Sequence, residues 1–235
     1  VLDADGAWWE LSETRITPQM FGAKGDGVTD DHAALTRALA FMGAGSTPNL
    51  GMELDLCGKV YMLSATLDFG AQMDYCRVVR GQFKPIAGSW DETDADTIAF
   101  FNTYQTVTTD GKIWVLRKPL VRIYGNNPGL TFDAVHLDGM TVAAGVRVND
   151  AGKERSWRNS TFDNCRSYAA LLNDSIDLDN VRIRGNTSAS AYRDSYGLVY
   201  NSNDTAFHGL TLAWCHVPLL ITGGTGYFHS IDIFN

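Results

Sequence analysis

Polar side chains that recur at one position of a repeat are carried to one face of a fold, and Asp163, Arg182 and Arg184 recur in this way. Aligning Trp157–Phe162 with Leu178–Ile183 and Phe207–Leu212 as successive strands sends Thr161, Arg182 and Thr211 outward in one column. Asp163, Arg184 and Ala213 form the next column. A carboxylate one strand away from a guanidinium, with a second guanidinium on the diagonal, suits a base or an electrostatic role. The stretch from Thr187 to Tyr196 carries Tyr192, Arg193, Asp194 and Tyr196, which offer aromatic faces for stacking on sugar rings and charged groups for hydroxyls or carboxylates. Asp194, on the less crowded loop, is the candidate proton donor to the substrate, with Asp163 as its catalytic partner. Glu154 and Trp157 lie close by in sequence, so Glu154, Trp157, Arg182, Arg184, Tyr192, Arg193 and Tyr196 are the expected substrate-binding residues of a carbohydrate groove. The same residues read equally well as a solvated loop and a structural Arg/Asp ladder.

The remaining chemistry-bearing residues point elsewhere. Gly22–Asp31 has the glycines of a phosphate loop, but its acids argue against phosphate, and Asp26, Asp30 and Asp31 lack the further ligands of a calcium loop. It reads as a structural loop seating the helix that follows. Cys57, Cys76, Cys165 and Cys215 show no C-x-x-C pair and no histidine at zinc-finger spacing, so neither a metal nor a cofactor is expected. Cys165 and Cys215 fall two repeats apart, too far for a disulfide, and are expected as free thiols. His208, His216 and His229 read as structural. With 19 Lys and Arg against 27 Asp and Glu in 235 residues, the net charge of −8 disfavours a nucleic-acid partner or an anionic membrane surface. No segment is a membrane span: Trp214–Ser230, a stretch without a charge, is broken by Pro218 and glycines.

Those side chains need elements to hold them. Ala34, Leu35, Ala38, Leu39 and Met42 share one face of a helix over Asp31–Met42. From Gly51 the pattern is β, and from Thr131 it repeats. Leu137–Val142, Trp157–Phe162, Leu178–Ile183, Phe207–Leu212 and Phe228–Ile233 share an apolar alternation, their starts separated by 20, 21, 29 and 21 residues. Gly145–Asn149, Ala169–Asn173, Gly197–Asn201 and Pro218–Thr222 form a second series, three of them ending in Asn. Such a repeat cannot bury its apolar side alone, whereas stacking rungs in parallel fills an interior with Val, Leu, Ile and Phe and lets asparagines ladder at the corners. The expected fold is all-β: a right-handed parallel β-helix with a short N-terminal capping helix. Leucine-rich repeats would need a different consensus, and a jelly roll would show no fixed register. In the second series Arg147, Leu171, Val199 and Leu220 point outward, and the three aliphatic residues are expected to form a subunit interface, the alternative being a loop of the same chain laid over them.

Phe21-Gly-Ala-Lys-Gly-Asp-Gly-Val-Thr-Asp-Asp31 leading into a short helix resembles the N-terminal signature of the pectate-lyase-like superfamily of β-helix proteins, most of all phage tailspikes. Gly51–Gly70, with Val60–Ser64 inside it, resembles the strand pair that follows there, and Trp8–Leu11 the link to a virion-attachment region. The resemblance implies residues 1–15 as connector, 16–50 as capping loop and helix, and 51–235 as the β-helix. Because the chain starts at Val1 and stops at Asn235 within a repeat, it reads as a piece of a longer one. The resemblance further implies a homotrimer in an extracellular virion tail, with phage tail or baseplate proteins and a bacterial surface polysaccharide as partners, cleaved by hydrolysis or β-elimination. A non-catalytic virion rod and a secreted bacterial carbohydrate-active enzyme are the alternatives. The Asn-Thr-Asp and Gly-His-Gly blocks of polygalacturonases are absent, and the one Asp-Asp pair, Asp30-Asp31, lies in the N-terminal signature rather than in the repeats.

Overall fold

The computed structural model describes residues 14–43, 51–70, 72–87, 90, 118–149, 154–185 and 195–234. Their strands form a parallel β-solenoid of about six turns. One wall stacks β1 (Arg15–Ile16), β3 (Glu53–Leu63), β5 (Arg77–Pro85), β7 (Thr131–Asp138), β9 (Ser156–Asp163) and β11 (Asp177–Arg184). The second wall stacks β4 (Leu67–Phe69), β6 (Pro119–Ile123), β8 (Ala144–Val148) and β10 (Ser167–Leu172). β12 (Ser195–Ala213) belongs to both walls, pairing with β10 and then with β11, and β13 (Val217–Phe234) follows it rung on rung. β2 (Asp26–Asp30) pairs with β3 at the N-terminal end.

A corner in the left-handed backbone region bends the strands of the first wall from β5 onward. Arg80, Ala134, Asn159, Asn180, Gly209 and Ser230 hold φ between 50° and 61° at equivalent positions of successive rungs. Asn and Gly tolerate that conformation best. The asparagines also ladder: Asn180 Nδ2 donates to Asn159 Oδ1 and Asn159 Nδ2 to Asp133 Oδ1, both at 2.9 Å. On the second wall Asn173 Nδ2 donates to Asn149 Oδ1 at 3.2 Å. The second-series register follows the expected one, with Leu171 opposite Arg147 and Val199, and Val199 opposite Leu220.

The first-series register is corrected at its first member. Leu137 pairs with Phe162, while Trp157 pairs with Phe132, so the rung equivalent to Trp157–Phe162 is Phe132–Leu137. Gly139 misleads, because in Leu137-Asp-Gly-Met it takes the third place that the left-handed Asn159, Asn180 and Gly209 occupy in the true rungs. Gly139 instead sits where its backbone closes on Cys165 and Asn164, in a turn whose Met140 and Thr141 have φ of 46° and 64°. The outward positions that aligning Leu137–Val142 with Trp157–Phe162 would give to Thr141 and Ala143 therefore belong to His136 and Asp138, and Ala143 is buried.

Inside the coil, one column runs Val78, Phe132, Trp157, Leu178, Phe207, Phe228. Phe132 and Trp157 stack at 4.2 Å and Phe207 and Phe228 at 4.7 Å between ring centroids. The helix α1 (His32–Met42) buries Ala34, Leu35, Ala38, Leu39 and Met42 into the same interior cluster, at the face its spacing predicts. Its entry loop consumes its own acids: Asp31 accepts from the Lys24 and Gly25 amides at 2.7 and 2.9 Å, and Asp30 from His32 N at 3.0 Å. Asp26 accepts from the Val28 and Thr29 amides, and these bonds to the ionised form pull its pKa down to about 2. All four cysteines are free thiols. Burial raises the Cys165 thiol strongly and pushes Cys215 up to about 11.

Candidate functional site

Two outward columns of the first wall carry the charged residues. The first runs Gln82, His136, Thr161, Arg182, Thr211, Asp232, and its neighbour Asp138, Asp163, Arg184, Ala213, Phe234. Asp163 lies directly between Asp138 and Arg184, as the alternation of β9 and β11 requires, with Arg182 on the diagonal. Arg184 grips it by a two-point fork, Nε to Oδ1 at 2.7 Å and Nη2 to Oδ2 at 2.6 Å. That carboxylate raises the guanidinium pKa further. At the other end Lys84 Nζ reaches Asp138 Oδ2 at 3.1 Å, so a cation closes each end of a pair of stacked carboxylates. With each oxygen accepting one bond from the fork, Asp163 is fixed in position and keeps one lone pair on each oxygen. Arg182 is exposed and stands between the threonine hydroxyls of the rungs on either side.

His136 tightens this surface. Thr161 N donates to its Nδ1 at 3.0 Å, which makes Nδ1 an acceptor and leaves Nε2 to carry the ring proton. Burial lowers its pKa, partly opposed by the Asp163 charge, so the neutral form is favoured. No local motif marks His136 and Asp138; the true β7 register alone brings them beside Asp163.

Several expected site residues lie elsewhere. Trp157 is fully buried in the interior, its Nε1 donating to Val135 O at 2.9 Å, because the first apolar position of each rung points inward. Tyr196 is buried as well, and desolvation raises its phenol pKa. Glu154 is exposed just before β9, and Arg155 beside it is buried and paired to Asp174 at 2.9 Å. Tyr192, Arg193 and Asp194 lie outside the described residues, as does the Trp8–Leu11 link. The expected subunit seam is also corrected. Leu171 and Val199 are fully buried within the single chain, in a cluster with Ala144, Tyr168 and Tyr196, while Leu220 and Val217 are partly buried on its edge. Facing out of the coil is not the same as facing water, and here the outward side chains of the stripe form an apolar cluster of their own.

A feature that no sequence pattern announced is a cleft of about 880 Å³ at the N-terminal end, between the flank of α1 and the start of the second wall. It is lined by residues from widely separated segments, among them His32, Thr36, Ser64, Asp68, Arg122 and Tyr124. Its size falls in the range of small-ligand sites. Arg122 holds Asp68 in a fork of two 2.8 Å bonds and lies 5.3 Å over the Tyr124 ring. His32 Nε2 lies 3.2 Å from Thr66 O; a carbonyl only accepts, so that nitrogen is the donor. Among the described residues no cluster of three or more His, Cys, Asp or Glu is arranged for a metal ion, and no helix is long and apolar enough to cross a membrane.

No protein-family model matches the chain, and no curated protein sequence does. Solved structures do. A candidate glycosyl hydrolase from Parabacteroides merdae superposes with a TM-score of 0.69 at 10% identity, over 94% of this chain and 98% of that one. The ORF18 protein of Geobacillus virus E2 gives 0.44 at 12% identity, over 93% of this chain and 59% of that one. The phiAB6 tailspike, solved with oligosaccharides of Acinetobacter baumannii surface polysaccharide, gives 0.39 at 14% identity, this chain spanning 47% of its length. At these identities the likeness is one of fold: the chain is a parallel β-solenoid whose structural neighbours include glycosyl-hydrolase and phage-tailspike β-helix proteins.

Proposed function

We propose that this chain binds a bacterial surface polysaccharide along the first wall of its solenoid and takes part in its depolymerisation, as part of a virion tailspike. The observation that carries the reading is the pair of outward columns centred on Asp163. A flat parallel wall repeats polar groups at the ~4.8 Å strand spacing, a stride suited to an extended sugar chain. Arg182 presents a guanidinium between Thr161 and Thr211 hydroxyls, donors and acceptors of the kind that read sugar hydroxyls and carboxylates. The Arg184 fork fixes Asp163 as an electrostatic anchor for that surface. The fold shared with the candidate glycosyl hydrolase supports a carbohydrate-directed role. A trimer on phage tail or baseplate proteins belongs to the same proposal, but it needs a contact other than Leu171 and Val199.

The test is a panel of acidic and neutral bacterial surface polysaccharides, with binding, reducing-end release and unsaturated-uronate absorbance measured together. Binding is expected for at least one polymer, weakened on the order of tenfold by Arg182→Ala with the melting temperature retained. Hydrolysis and β-elimination are told apart by the second and third signals. A folded protein that binds no polymer on the panel, or binding indifferent to Arg182→Ala and Asp163→Asn alike, overturns the reading.

A further inference from the structure

We propose that Trp214 is a sugar-stacking subsite at the C-terminal end of the first wall, taking the apolar face of one pyranose unit of the bound polymer. The inference rests on the polysaccharide reading above and adds to it a residue that neither outward column contains. The place of Trp214 is fixed by the bonds between successive rungs: Gly139 N donates to Asp163 O at 2.8 Å, Asn164 N to Arg184 O at 3.0 Å, Gly185 N to Ala213 O at 2.9 Å and Trp214 N to Phe234 O at 3.1 Å. Gly139, Asn164, Gly185 and Trp214 therefore hold one position on successive rungs, directly after the outward column Asp138, Asp163, Arg184, Ala213. Glycine and asparagine suit such a turn. Trp214 does not: it holds φ at 55°, where Asn164 holds 50°, and a bulky side chain in that left-handed region is strained.

The fold draws little from the ring in return. Trp90 and Trp157 are buried and donate Nε1 to the Leu63 and Val135 carbonyls, whereas Trp214 is 47% exposed, and among the described residues its indole has no hydrogen-bond or ring partner. Tyr75 shares the left-handed conformation at φ 57°, but its ring lies over Gly129, 2.4 Å from where a Cβ would stand. Strain without a packing return points to a role toward a ligand. A pyranose matches what Trp214 offers: its C–H face stacks on the indole, and one of its hydroxyls accepts from Nε1. Arg184 stands on the adjacent rung, and Thr211, the partner of Arg182, lies three residues before Trp214, about 10 Å along β12. A polymer lying on the charged columns reaches Trp214 without leaving the wall.

The experiment titrates the intact chain with the panel polysaccharide that it binds best, following tryptophan emission, and melts each variant in parallel. Trp214→Gly is expected to weaken binding about tenfold while its melting temperature equals or exceeds that of the wild type, because glycine relieves the left-handed turn. Trp214→Phe keeps a ring face and should bind within about threefold of the wild type. The polymer should shift the emission of the wild-type chain to shorter wavelength, and that shift should vanish in Trp214→Phe. Wild-type affinity in Trp214→Gly, with Arg182→Ala still weakened, would overturn the subsite and leave the wall reading standing. A melting temperature lowered by several degrees in Trp214→Gly would make Trp214 a structural residue and overturn the proposal, and Trp214→Phe binding as weakly as Trp214→Gly would overturn stacking. Absence of binding to every polymer would overturn the wall reading and the subsite together.

Discussion

The two walls of the solenoid obey one rule of alternation and come to opposite ends. On the first wall the outward side chains are His136, Thr161, Arg182, Asp163 and Arg184, and they meet solvent in a polar, ion-paired surface. On the second wall the outward chains on the later rungs are Tyr168, Leu171, Tyr196 and Val199, and they are buried together in a second apolar cluster. The pleat decides which side chains leave the coil, whereas what lies over them decides whether they are wet. The difference also extends along the second wall. Its earlier outward positions carry Asp68, Arg122 and Arg147, so the wall changes from charged to apolar along the axis, and the cleft opens at the charged end.

The sharpest way to break this comparison is to place the same charge on both walls. Val199→Glu puts an unpaired carboxylate into a fully buried apolar cluster and is expected to cost at least ~3 kcal/mol, enough to unfold a marginal protein. Arg182→Glu, outward on the exposed wall, should change stability by no more than about 0.5 kcal/mol. Urea denaturation of the two variants decides it. Equal, small costs would mean that the second wall is not covered in solution.

A smaller contrast separates the two kinds of glycine. At Gly145 an added Cβ would stand 2.1 Å from the Ala169 carbonyl oxygen and 3.1 Å from Cys165 Sγ, so Gly145→Ala forces neighbouring second-wall strands apart. About 2 kcal/mol or more is expected, in the range of overpacked cores. Gly209 has room, its nearest neighbours at 3.7 Å, but it holds φ at +61° in the corner column. Gly209→Ala should therefore cost only about 1 kcal/mol, the left-handed penalty that Ala134 already bears in its own rung. Thermal melts of both variants test the order, and a larger loss at Gly209 would reverse it.

How much of this was legible before the structure depends on whether a residue's role is local. The helix face, the second-series register and the free thiols follow from spacings within one or two repeats, and each asparagine ending a second-series strand marks the rung. β7 was misaligned by five residues because Gly139 imitates the corner residue, and β5 was hidden because 54 positions separate Val79 from its partner Asp133. Trp157 could have been placed correctly, since its own repeat position is an inward one. The burial of Leu171 and the cleft at Arg122 were not legible, because each depends on segments that no local pattern relates.

The smallest effect tests whether the first wall works as one electrostatic surface. Burial holds His136 below the ordinary histidine pKa of ~6.5 that it regains on unfolding. Between those two values the unfolded chain binds more protons than the folded one, so stability is complete above about pH 6.5 and declines as the pH falls below it. Asp163 opposes the shift by favouring the imidazolium. Two variants then move in opposite directions. His136→Gln removes the titrating ring and should flatten the fall in stability between pH 7.5 and 5.5. Asp163→Asn removes the opposing charge and breaks the Arg184 fork, so it should cost about 1 kcal/mol or less at neutral pH, shrinking with salt because Arg184 is 40% exposed. On acidification the same variant should lose more than wild type, because its folded state holds His136 further from protonation. Urea midpoints at three pH values resolve the three curves. If Asp163→Asn ran parallel to wild type, the two outward columns would be electrostatically independent, and the wall would be a stack of separate rungs rather than a single charged face.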